Sequence, residues 1–148
     1  MPALTLVALA FALSQTPQIQ AAAINAAKNS IARDLDKTLP QVPFEVWLQG
    51  LAGPQAVLTW SVTDCGEQTG NPALDRGRDF PMCAEVNVKL PGNRLLSLSL
   101  LAGSMGRGLT VVPLAFHSGA IIEPEPKQIT WVKTLAAVPK LIGQPISN

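Results

Sequence analysis

Between Cys83 and Ala102 the chain runs through two stretches of alternating character, CAEVNVKL and RLLSLSLLA, separated only by Pro91-Gly92-Asn93. A period of two marks a β-strand, because successive side chains point to opposite faces of the sheet. The register between the two runs is testable on paper. A two-residue turn pairs Lys89 with Arg94 and sets Val86 against Ser97. A three-residue loop pairs Leu90 with Arg94, Val88 with Leu96, Val86 with Leu98 and Ala84 with Leu100. Only the second gathers the apolar residues on one face, and a slip of one residue would turn them all to solvent. Such a loop needs a left-handed residue at its third position, which Asn93 tolerates.

Two further strands are expected. Gln55–Asp64 places Ala56, Leu58, Trp60 and Val62 on one side. Leu109–His117 carries Pro113, which cannot donate to a ladder and so implies an edge or a bulge. A sheet with one oily face needs a cover. Ile24–Leu39 supplies it as an amphipathic helix with Ile24, Ala27, Ile31, Leu35 and Leu39 in line, stopped by Pro40. Pro43 then reads as the start of an extended connector. Lys127–Val138 fits a helix or a strand. The fold class that follows is α+β: an N-terminal helix packed on one face of a roughly four-stranded antiparallel sheet, with a C-terminal helix or strand. Trp60 falls in the oily register, and Trp47 and Trp131 are expected to pack in the core rather than stack on a ligand.

Ala3–Leu13 is an apolar run broken only by Thr5, too short for a membrane span and of the length of a signal-peptide core. Ala21-Ala22-Ala23 offers an A-x-A cleavage pattern. Residues 1–23 are therefore expected to be a cleaved export signal and residues 24–148 a single domain, periplasmic or secreted and without a transmembrane span. The alternative is a buried or interfacial N-terminal helix. Cys65 and Cys83 are the chain's two cysteines. In an oxidising compartment an isolated pair is expected as a disulfide, which would stabilise the fold by roughly 3 kcal/mol. Two free buried thiols, or redox or metal chemistry, are the alternatives; two thiolates leave a tetrahedral zinc shell incomplete, and His117 is the only other soft ligand. No metal or cofactor site is expected.

Only 14% of residues are charged, against about 25% in an average domain, and the net charge is +1. With 47% hydrophobic residues this excludes intrinsic disorder, and no basic field points to nucleic acid. Against that background the segment between the cysteines stands out. Asp64, Glu67, Asp75, Arg76, Arg78 and Asp79 fall within sixteen positions. A long loop tied at its ends is a common recognition surface, so Glu67, Asp75, Arg76, Arg78 and Asp79 are the candidate binding residues. Local ion pairing in a solvated loop is the alternative. A second candidate surface is the mixed sheet face around Glu85, Asn87 and Lys89.

Catalytic signatures are sparse. Gly103-Ser104-Met105-Gly106-Arg107-Gly108 lacks the G-K-[ST] ending of a phosphate loop and reads as a hairpin connection. His117-Ser118 is the one adjacent His/Ser pair, but neighbours on a continuous strand face opposite ways and cannot form a nucleophile–base couple. The function expected is a small non-enzymatic interaction domain with a protein or cell-envelope partner, acting as inhibitor, adaptor or accessory subunit. The alternative is an envelope hydrolase or small-ligand-binding protein using His117 with Asp64 or Glu67. A concave pocket holding His117 beside a carboxylate would favour the alternative.

Overall fold

A computed structural model describes residues 17–63, 78–105 and 110–143. Its frame is one antiparallel sheet of five strands in sequence order: β1 (Leu58–Thr63), β2 (Arg78–Leu90), β3 (Arg94–Met105), β4 (Thr110–Pro124) and β5 (Lys127–Val132). The β2–β3 hairpin has the three-residue loop and the register expected, with Leu90 opposite Arg94, Val88 opposite Leu96, Val86 opposite Leu98 and Ala84 opposite Leu100. Asn93 takes φ 62° and Gly92 φ 81°, which closes the loop. Leu96, Leu98 and Leu100 are fully buried, as are Ala84, Val86 and Val88 opposite them.

The sheet has five strands where four were expected, because Lys127–Val132 pairs with β4. The C-terminal segment then closes with a 3-10 turn at Leu135–Ala137 and helix α4 (Val138–Gly143), so both a strand and a helix occur there. β2 begins at Arg78, earlier than the alternation at Cys83 indicated, with Arg78 paired to Met105. β4 runs on to Pro124. Pro113 pairs with Ala102 beside a register shift and beyond the stretch covered by β5, which spares the ladder its missing N–H. Gly103, Ser104 and Met105 belong to β3; the rest of that glycine-rich stretch, apart from its strand residues, lies outside the described residues.

Helices cover the oily face. The single helix expected over Ile24–Leu39 is instead α1 (Pro17–Asn29) and the one-turn α2 (Ala32–Leu35). Two sets of contacts mark the break. Asn29 and Ser30 turn their side chains back onto the carbonyls of Asn25 and Ala27, while Ile31 bridges to Pro43. The residues after Pro43 are not an extended connector but helix α3 (Phe44–Ala52), with Phe44, Trp47 and Leu48 buried. Pro43 stands at its N-cap, where a missing N–H costs nothing. Ala27, Ala32, Phe44, Trp47 and Leu48 pack with Val86, Val88, Leu96 and Leu98 in one core, joined by Leu135 and Val138. Trp60 packs against that core, edge-on to Phe44 at 6.2 Å, and donates its indole N–H to Glu45 at 2.9 Å. Among the described residues no helix is long and apolar enough to cross a membrane.

Two polar ties join distant parts of the chain. Arg94, nearly buried at the start of β3, donates Nε to Glu123 Oε1 at 2.7 Å. Its two Nη groups donate to the carbonyls of Ile142 and Leu141, which caps the last turn of α4. Asp36 accepts hydrogen bonds from Thr38 and, a hundred residues on, from the Ala136 N–H. The Thr38 bonds, backbone first, hold its carboxyl below the ordinary value of 3.8.

Arg94→Ala should lower unfolding stability by about 3 kcal/mol, since it leaves Glu123 and two helix carbonyls without their cation. The double change with Glu123→Ala should cost less than the sum; strict additivity in a denaturant cycle would show the pair to be uncoupled. Because the folded pKa of Asp36 is depressed, its contribution is present above pH 3.8 and is lost as pH falls through the folded value. The stability gap between the wild type and Asp36→Ala should therefore narrow on acidification below 3.8. A gap that stays constant with pH would remove the charge from the account.

Candidate functional site

The face of the sheet away from the helices carries the polar half of the alternation. Pairing places its residues in rows across the strands. One row runs Ser61, Glu85, Ser99, Ser118, and the next runs Thr59, Asn87, Ser97, Ala120, Trp131. A third holds Lys89, Leu95, Ile122 and Ile129. A shallow groove of about 310 Å³ lies over this face. Its hydrophilic wall is Thr63, Glu85, Ser97, Ser99, His117 and Ser118; its apolar wall is Ala120, Ile122, Ile129 and Trp131.

The rows explain Trp131. As a strand residue opposite Ala120 it stands on the open face, while its neighbour Val132, opposite Gly119, enters the core. Trp131 is 66% exposed and Ile129 45%. The expectation that Trp131 packs in the core is thus overturned. Trp47 is buried as expected.

His117 and Ser118 correct a second expectation. Ser99 pairs with Ser118, but Leu100 pairs with Phe116, so His117 is an extra residue without a partner on β3. Such a bulge breaks the alternation and re-aims a side chain. Both residues then line the groove, with His117 Nδ1 3.1 Å from Ser118 Oγ. The rule that neighbouring strand residues face apart holds only where the ladder is regular. Gly119 follows it at a point of close approach. A Cβ there would lie 2.7 Å from Leu98 Cδ2 and 3.2 Å from both the Ser97 carbonyl and Val132 Cβ. Leu98 is fully buried and has little room to move.

What this arrangement can do follows from what it presents. At the centre of the groove β3 is paired on both sides, so the face recognises there with side chains. An acyl-transfer serine needs a base, a group orienting that base, and N–H donors for an oxyanion. His117 supplies the first. Glu85 lines the same groove but stands in the row two strands from Ser118, roughly 10 Å across the sheet. Its position makes it a second polar wall rather than an orienting group.

The candidates drawn from the sequence divide accordingly. Cys65, Asp64, Glu67, Asp75 and Arg76 lie outside the described residues; Arg78 and Asp79 form the first backbone positions of β2. Cys83 is fully buried. Glu85 and Asn87 do lie on the mixed face expected of them, and Lys89 is one row further. Among the described residues no group of three or more His, Cys, Asp or Glu side chains gathers to hold a metal. A second cleft, of about 480 Å³, lies along α3 beside Glu45, Val46, Gln49, Gly50 and Pro54. Its one carboxylate is already engaged by Trp60 and by Lys28 at 3.7 Å.

Gly119→Ala should cost about 1–3 kcal/mol in denaturant unfolding, the range for forcing a methyl group into a filled core. Ser118→Ala, one residue away but exposed, should change stability by no more than about 0.5 kcal/mol. A neutral Gly119→Ala, or a severely destabilised Ser118→Ala, would mean that the bulge is held by something other than this close approach.

Compared with known proteins, the chain matches no family, no curated protein and no solved structure.

Proposed function

We propose that this chain is an exported, disulfide-stapled, non-enzymatic recognition domain that binds its cell-envelope partner on the open face of the sheet. The observation that carries the reading is the groove itself, where a half-polar, half-apolar wall is left uncovered with a Trp standing 66% exposed in it. A solvated sheet face has no use for a large exposed aromatic, whereas recognition surfaces are enriched in them. The groove also meets the condition that favours a small-ligand reading, because His117 lines it together with a carboxylate, here Glu85 rather than Asp64 or Glu67. Ligand binding without catalysis accommodates both observations. Of the charged candidates, Glu67, Asp75 and Arg76 lie outside the described residues, and Arg78 and Asp79 open β2.

The disulfide has support from the ladder. Thr63 pairs with Cys83, and the chain's other cysteine is two residues beyond Thr63. Antiparallel partners have Cα atoms about 4.5–5.5 Å apart, so the chain passes beside Cys83 two residues before Cys65. Export rests on the apolar run Ala3–Leu13. We take cleavage to fall before α1, because Ala23 is buried against Met82 and Ala102 with Ile19 and Val62 alongside. Cleavage after Ala23 would strip that cluster of its cover. Ala12-Leu13-Ser14 is a second small-x-small pattern, and cleavage after it leaves α1 whole.

Protein purified from its native host should have lost the apolar run and weigh 2 Da less than its reduced form, as one disulfide requires. It should be retained by an envelope fraction of that host. Trp131→Ala should weaken retention on the order of tenfold or more while circular dichroism stays unchanged. An intact N-terminus with two free thiols would remove the exported setting. Equal retention of wild type and Trp131→Ala would remove the open face as the binding surface.

A further inference from the structure

We infer that the ligand of the open face is a neutral oligosaccharide, stacked on Trp131 and hydrogen-bonded along the row of Glu85, Ser99, Ser118 and His117; this rests on the open-face reading proposed above. Three features of the groove select this class. First, its described lining holds a single carboxylate, Glu85, and neither Lys nor Arg, so an anion finds no counter-charge. Second, it lies on the face of the sheet rather than along an edge: its hydrophilic row crosses β2, β3 and β4, and β3 at its centre is paired on both sides. A peptide strand added to a sheet draws on an edge ladder, which the face itself does not offer. Third, the two walls differ in kind and are close together. Trp131 lies one strand and one row from Ser118, a backbone offset of roughly 8 Å.

A sugar ring has the matching division: one face of C–H bonds and a rim of hydroxyls that both donate and accept. The Trp131 indole, standing beside Ala120, takes the C–H face. Glu85 accepts hydrogen bonds from two hydroxyls, and the serines donate or accept as the rim requires. The His117–Ser118 couple adds the complement. With the imidazole neutral and Nε2 protonated, Ser118 Oγ–H donates to Nδ1, leaving Oγ to accept and Nε2–H to donate. A volume near 310 Å³ is at the low end of small-molecule sites, which run from about 300 to 1,000 Å³, and suits one or two ring units of a longer chain.

The test uses the purified chain against cello-, laminari-, malto- and chitohexaose, with polygalacturonate as the anionic control and an envelope fraction of the host as the native target. At least one neutral hexasaccharide should bind saturably, shift the fluorescence contributed by Trp131 to the blue and displace the protein from the envelope fraction. The Trp131 contribution is the wild-type signal less that of Trp131→Phe. Trp131→Ala should lose on the order of tenfold or more in affinity, Trp131→Phe should retain part of it, and Glu85→Gln should weaken binding with no loss of fold. If no neutral sugar binds or competes while envelope retention still depends on Trp131, the ligand class is wrong and the open-face reading stands. Preference for polygalacturonate also overturns the class. If retention is indifferent to Trp131, both fall. A dimer in sedimentation equilibrium that Trp131→Ala dissolves would show the face covered by a second copy, and would overturn the proposal too.

Discussion

Everything else in this molecule hangs on the side-chain parity of β3. It is the central strand, paired on both sides, and its even positions from Leu96 to Leu100 are buried while Ser97 and Ser99 face outward. Because the period is two, that parity cannot be half right. The three-residue loop at Pro91–Asn93 transmits it to β2, and β2 transmits it to β1 through the pairing of Val86 with Trp60. Once the leucines face one way, the helices have a surface to cover. Once the serines face the other, a polar surface exists that nothing in the described fold covers.

β4 is where that regularity is interrupted, and the candidate site depends on the interruption. A continuous ladder would put His117 and Ser118 on opposite faces. One unpaired residue brings them together, and Gly119, pressed against Leu98 and Val132, holds the two neighbouring strands close at that point. At the other end of the sheet Arg94 performs the opposite task. It ties β3 to Glu123 on β4 and to the final turn of α4, so the core is sealed where the strands end.

The parts legible in the sequence are those decided by one segment or by two segments joined by a short loop. The β2–β3 register could be derived because alternation on both strands and the turn between them admit one solution. The sides taken by Trp60, Val86 and Leu98 followed from it. Elements decided by distant partners were not legible in the same way. The helix break at Ser30 depends on Ile31 meeting Pro43. Phe44, Trp47, Leu48 and Leu51 carry helical spacing, but Pro43, which reads as a signal for extension, also suits a helix start. Trp131 belonged to a segment that fits helix and strand periods alike, and only pairing with Ala120 decides its side. The bulge at His117 has no signature in one strand at all, because it is a mismatch between two.

Parity also shapes what selection can alter independently in such a domain. Along β3 the residues that hold the core and those that line the groove alternate one by one, and β4 repeats the scheme with Gly119 and Ile121 inward, Ala120 and Ile122 outward. A substitution at an outward position exchanges one solvated or half-solvated side chain for another and leaves the packed side untouched, which keeps its stability effect small. The outward set can therefore drift toward a new ligand without a stability threshold intervening. Ser99, Ser118 and Trp131 are free in this sense; Leu98 and Gly119, their immediate neighbours along or across the strands, are not. A face so constituted allows a change of specificity without a change of fold.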